Sequence, residues 1–197
     1  MNIQSKKIFV IGFNKCGTSS FHHFFQQNGI RSLHWGGQNH EENGALILLK
    51  NFMLGRDILL GIDTYDAFSD LSYANDSIYI EGNRFFKELY SQYPKAYFIL
   101  NTRPVDKWIT SRLRHGAGSL KARSMKVYNC NEVELIDLWK DQYLSHSEAV
   151  TSFFNANGGA LLEFDIESDS PQKLVEFLSP IGSFDASYWR QKNKTKK

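Results

Sequence analysis

Apolar residues along the chain fall into two kinds of pattern that alternate: short unbroken runs, and longer stretches in which they recur every three to four positions. Runs at 8–11, 30–35, 96–100 and 160–164 have strand length. In 18–28, Phe21, Phe24 and Phe25 share one side of a helix, with Gly29 placed as its C-terminal cap. A second helix is expected over 41–54, and one or both of the segments 58–62 and 65–71 supply a third strand. In 81–93, Phe85, Phe86, Leu89, Tyr90 and Tyr93 lie on one helical face, which Pro94 terminates. Pro104 suits the first turn of a helix reaching Leu113, after which Gly116 and Gly118 open a loop. From Asn131 onward, Leu135, Trp139, Tyr143, His146, Val150 and Phe154 predict a long amphipathic helix ended by Gly158-Gly159, and 171–178 reads as the last helix. Alternating strands and helices predict an α/β fold: a central, mainly parallel sheet of about five strands between two helical layers. No repeat, low-complexity linker or break in composition divides the chain, so one domain is expected over 1–197.

Composition changes this picture little. A chain of 197 residues can bury a substantial core. Cys16 and Cys130 make no disulfide framework, which points to a reducing compartment and a cytoplasmic protein. The apolar run after Lys6 and Lys7 is too short for a signal peptide or a membrane span. Charge is more informative. Five basic residues and no acids lie in 112–126 (Arg112, Arg114, Lys121, Arg123, Lys126), and five more basic residues lie in 190–197, leaving the rest of the chain net acidic. Such concentration favours a polyanionic small ligand over nucleic acid, since neither segment has the interleaved aromatics of a single-strand binder. Two solvated segments are the plainer reading, above all for the tail.

The chemistry centres on the end of the first strand, Ile11-Gly12-Phe13-Asn14-Lys15-Cys16-Gly17-Thr18-Ser19-Ser20. Gly12 and Gly17 permit a curled backbone whose amides converge, and a helix opening beside Gly17 adds its positive dipole end, so the stretch reads as a phosphate cradle. The ATP-binding pattern G-x-x-x-x-G-K-[ST] keeps its glycine spacing here, but Thr18 stands in the lysine position and the cation has moved to Lys15 inside the loop. A second constellation, Arg103 and Ser111, follows the 96–100 strand. Ligands of open parallel sheets sit at the carboxyl ends of the strands, so Arg103 and Lys15 should reach one ligand. The guanidinium and hydroxyl suit a second phosphate.

K-x-G-T-S together with a strand followed by R-P-V-D-K-W-x-x-S resembles the 5′-phosphosulfate and 3′-phosphate motifs of the P-loop sulfotransferases that use PAPS (3′-phosphoadenosine 5′-phosphosulfate). The strand and helix at 161–178 and the basic end at 189–195 resemble the same family; Cys16 stands where its members often carry a small hydroxyl. The resemblance implies a P-loop α/β fold, sulfuryl transfer from PAPS to a hydroxyl or amine of a small-molecule or glycan acceptor, and release of 3′-phosphoadenosine 5′-phosphate. It implies that Asn14, Lys15, Cys16, Gly17, Thr18, Ser19, Ser20, Arg103 and Ser111 hold the nucleotide, and that the basic end closes over it.

Such transfer builds charge on the leaving oxygen, for which Lys15 is the catalytic cation, and it needs a base for the acceptor. Candidates are His34 and the acids Asp63, Asp66 and Asp70. His34 is preferred because it ends a strand on the active edge, and Asp70 is the reserve; a purely structural His34 stands beside that reading. His22 and His23 are expected to pack or face water. A cysteine phosphatase would need arginine where His22 stands, and no metal-ligand spacing is present. An altered P-loop kinase and a catalytically silent nucleotide-binding module are the alternatives.

Overall fold

The computed structural model describes residues 6–36 and 43–191. The first strand, β1 (Ile8–Val10), is buried on both faces. α1 (Thr18–Gln27) leads from it to β2 (Ser32–His34), and α2 (Gly44–Met53) to β3 (Ala67–Ser69). An antiparallel hairpin, β4 (Ser72–Ala74) with β5 (Tyr79–Glu81), stands apart from the main sheet. α3 (Phe86–Gln92), β6 (Tyr97–Thr102), α4 (Val105–Leu113), α5 (Ser119–Tyr128), α6 (Glu132–Asn157), β7 (Ala160–Asp165) and α7 (Pro171–Leu178) complete the chain. The main sheet is wholly parallel, in the order β2-β3-β1-β6-β7, with Ile8 opposite Ala67 on one side and Tyr97 on the other.

Period-two alternation separates the two cores. Phe9, Ile11, Phe68, Phe98 and Leu100 pack with α2, α3 and α6, whereas Ile8, Val10, Ala67, Tyr97 and Ile99 pack with α1 and α7. A third cluster, Phe13, Cys16, Trp108, Ile109, Leu135, Trp139 and Tyr143, fills the space behind the loop after β1. Local signals set the boundaries. Asn131 and Glu134 form a reciprocal capping box at the start of α6, Ser170 caps α7 with Pro171 at its first position, and Gly29, at φ 75°, receives the chain leaving α1.

The expected α/β architecture and its five parallel strands are present, with one open choice decided and three local corrections. The apolar stretch 58–62 forms turns that bury Ile58, Leu59 and Ile62 against the core, so 67–69 alone supplies the third strand. Glu81 ends β5 instead of starting a helix; a 3-10 turn, Gly82–Phe85, precedes α3. Pro104 is the residue before α4, at ψ 127°, and not within its first turn. The basic segment 112–126 is the end of α4, a 3-10 turn and most of α5 rather than a loop; Arg112 within it is fully buried, its guanidinium 3.1 Å from Glu81 and between the Trp108 and Trp139 rings. Its charge is therefore neutralised internally. Trp189 packs on Phe21, Phe24 and Phe164, while 192–197, most of the basic end, lies outside the described residues.

Candidate functional site

The loop after β1 is held by its carbonyl groups. His146 Nε2 donates to the Ile11 carbonyl at 2.7 Å, Trp108 Nε1 to Asn14 at 2.9 Å, and Arg103 Nη1 to Lys15 at 3.0 Å. Asn101 Nδ2 donates to Cys16 at 2.7 Å and Phe13 at 3.4 Å, while its Oδ1 accepts the Gly12 amide at 2.7 Å. Five carbonyls of this stretch are thus occupied by side-chain donors from β6, the turn after it, α4 and α6. Glycine is required at position 12, where a Cβ would sit 2.1 Å from the Asn101 carbonyl oxygen, and at 17, where φ is 78°. Lys15 is itself left-handed, at φ 66°. The first bonds of α1 run from the Ser20 and Phe21 amides to the Gly17 carbonyl, so the amides of Thr18 and Ser19 lie at the helix's open positive end.

A cavity of about 370 Å³ lies over this loop, lined by Asn14, Lys15, Gly17, Thr18, Ser19, Ser20, His34, Asp70, Arg103 and Ser111, with Trp35, His115, Ile166 and Gln191 at its margins. The predicted nucleotide residues other than Cys16, with His34 and Asp70, thus border one space. The Cys16 amide donates to the Phe13 carbonyl at 3.3 Å, and burial pushes its thiol up to about 12, so it serves as packing behind the loop. Strand order explains the convergence: the carboxyl ends present His34 from β2, Asp70 after β3, the loop after β1, and Arg103 after β6, in that spatial sequence.

At the β6 end of the cavity, Tyr143 grips the Arg103 backbone, its hydroxyl accepting from the amide at 3.0 Å and donating to the carbonyl at 2.9 Å. Arg103 Nη2 meets Glu167 at 2.5 Å, and Nε is buried without a partner. Lys15 Nζ lies 3.2 Å from His115 Nδ1; burial lowers the Lys15 pKa and the Asp70 carboxylate opposes that shift. At the other end, Ser69 Oγ donates to the Leu33 carbonyl at 3.4 Å and lies 3.1 Å from His34 Nδ1. The hydroxyl has one proton to give; with it spent on the carbonyl, the oxygen can accept from Nδ1–H, an arrangement that leaves the Nε2 lone pair available. Nε2 faces Ser19 Oγ at 3.3 Å and Asp70 Oδ2 at 3.8 Å, and burial lowers the His34 pKa against the Asp70 charge. Asp70, at φ 51°, accepts from Ser72 at 2.7 Å and Thr18 at 3.5 Å. Asp66 is paired with Arg31, and the Asp63 carbonyl accepts from Lys7; neither borders the cavity. His22 stacks on His34 with ring centres 5.1 Å apart.

Sequence reading missed the groups that shape the loop: Asn101, Trp108, Tyr143 and His146. Asn101 alone left a signal, as an amide at the end of an otherwise apolar buried strand. His115 and Glu167 left none, because their partners lie far along the chain.

Among the described residues no helix is long and apolar enough to cross a membrane, and no group of three or more metal-ligating side chains is found. A search of curated proteins finds no match. A family model described as "Sulfotransferase domain" matches residues 7–138, a span that contains the loop, His34, Asp70, Arg103 and Ser111. With two thirds of its length so matched, the chain belongs to the sulfotransferase-domain family.

Proposed function

We propose that this protein transfers a sulfuryl group from PAPS to a hydroxyl or amine of a small-molecule or glycan acceptor and releases 3′-phosphoadenosine 5′-phosphate. The observation that carries the reading is a pair of anion-binding points at neighbouring strand ends: a loop with tethered carbonyls and an internal Lys15, and an arginine whose buried Nε has no partner. Nε and Nη2 form the side-on edge of a guanidinium, which suits two phosphate oxygens. A kinase needs its lysine at the helix start, where Thr18 stands.

In this reading the amides at Gly17–Ser19 and the hydroxyls of Thr18 and Ser19 hold the 5′-phosphate, while Arg103 and Ser111 hold the 3′-phosphate. PAPS, when bound, supplies a sulfuryl group whose bond to the phosphate bridge oxygen breaks as a bond to the acceptor forms. The Lys15 ammonium compensates the negative charge left on that oxygen. His34 accepts the acceptor's proton at Nε2, and Asp70 faces the imidazolium so formed. This direction of transfer uses the tautomer in which Nδ1–H donates to Ser69 Oγ, 3.1 Å away.

Thermal unfolding tests the donor. At equal concentration, 3′-phosphoadenosine 5′-phosphate should raise the midpoint more than ADP, because a ligand selective for the native state stabilises by mass action. Equal shifts, or a preference for ATP with magnesium, would overturn the reading.

A further inference from the structure

The reaction as described leaves one ion cluster unexplained. Glu167, just beyond β7, sets one carboxylate oxygen 2.5 Å from Arg103 Nη2 and the other against Lys107 Nζ. Its amide donates to Asp165 Oδ1 at 2.8 Å, which fixes the turn that presents it. The hydrogen bond from Lys107, with Arg103 behind it, holds the Glu167 carboxyl below the usual carboxylate range. On Arg103, Nη1 is committed to the loop and Nη2 to Glu167, while Nε, the other half of the side-on edge, has no partner. Glu167 therefore uses half of an edge that a phosphate would use whole. A phosphomonoester on that edge would stand within hydrogen-bond range of the carboxylate, and two such anions repel.

We infer that Glu167 is an internal counter-ion standing in the 3′-phosphate subsite, that Lys107 is a further cation of that subsite, and that nucleotide binding exchanges the carboxylate for the 3′-phosphate. The inference rests on the PAPS reading above. Before nucleotide arrives, Glu167 keeps Arg103 and Lys107 from being left as adjacent unpaired cations. After transfer, its return competes with the product's 3′-phosphate and favours release.

Calorimetric titration of the wild type, Glu167→Gln, Glu167→Ala and Lys107→Ala tests the exchange, using 3′-phosphoadenosine 5′-phosphate and AMP, which lacks the 3′-phosphate. Circular dichroism and thermal unfolding establish that each variant is folded; the near-isosteric Glu167→Gln carries the test if the alanine variant is not. Both Glu167 variants should bind 3′-phosphoadenosine 5′-phosphate on the order of tenfold more tightly and AMP almost unchanged, and Lys107→Ala should weaken only the former. Unchanged or weaker binding in the Glu167 variants, or equal tightening toward AMP, would overturn the inference and leave Glu167 as a group that merely orients Arg103. A wild type with no preference for the 3′-phosphorylated nucleotide would overturn the donor reading and this inference together; the first kind of failure leaves that preference intact.

Discussion

Lys15 and Arg103 both approach the cavity, yet they should fail differently. Lys15→Ala removes a cation that matters most when charge reaches the leaving oxygen, so turnover should fall by about 100-fold or more while nucleotide affinity is partly kept. Arg103→Ala removes the proposed 3′-phosphate contact together with the Lys15 carbonyl tether and should mainly raise the nucleotide dissociation constant. Turnover and nucleotide binding measured on both variants separate the two roles. For His34, burial lowers the pKa, so the imidazole is the neutral acceptor at neutral pH and the acid limb of the rate profile should lie below about 6.5, the ordinary histidine value. Single-turnover transfer to an acceptor found by screening alcohols, sugars and amines would show that limb. His34→Ala should abolish the limb and cost about 100-fold, and a limb that survives the substitution assigns the base elsewhere, with Asp70→Ala as the next variant.

The long helix α6 shows an element acting on the site without entering it. Its buried row includes His146, whose Nε2–H supports the Ile11 carbonyl and whose pKa burial lowers to about 4. Above about pH 6.5 the imidazole is neutral folded and unfolded, with no linkage cost. As pH falls toward 4 the unfolded chain takes up a proton that the native state refuses, and about 3 kcal/mol of stability is lost. Urea midpoints between pH 7 and 4 should drop accordingly, with a shallower slope in His146→Gln, whose amide can still donate. This helix was legible in the sequence because its six inward positions keep one period over its whole length, and the turn after β1 because glycine spacing is a local feature. The hairpin β4-β5 was not: Ser72-Tyr73-Ala74 and Tyr79-Ile80-Glu81 are too short to show a period, and Glu81 points inward only because Arg112, 31 positions later, meets it. The loop-holding role of Asn101, which lies just past the 96–100 run, was hidden because its three bonds all go to a loop more than eighty positions upstream.

Across the whole molecule, the Arg112–Glu81 pair joins the hairpin to α4 and α6 in a site closed to water, with side-chain exposures of 0% and 5%. Arg112→Ala would strand the Glu81 carboxylate there and should cost about 3–5 kcal/mol in urea unfolding, whereas the Arg112→Met, Glu81→Leu double variant should recover much of that loss. The parallel sheet itself has a further consequence. Its order lays the proposed proton acceptor at one end of an edge and the phosphate anchors at the other, with the tethered loop between them. In the proposed function, acceptor choice and donor choice are thus written on different strands. Under the proposed function, β2 and its flanks can vary to take new acceptors while β6 and β7 keep the same nucleotide, and selection on either end reaches the other through the loop between them, where Ser19 meets His34 and Thr18 meets Asp70.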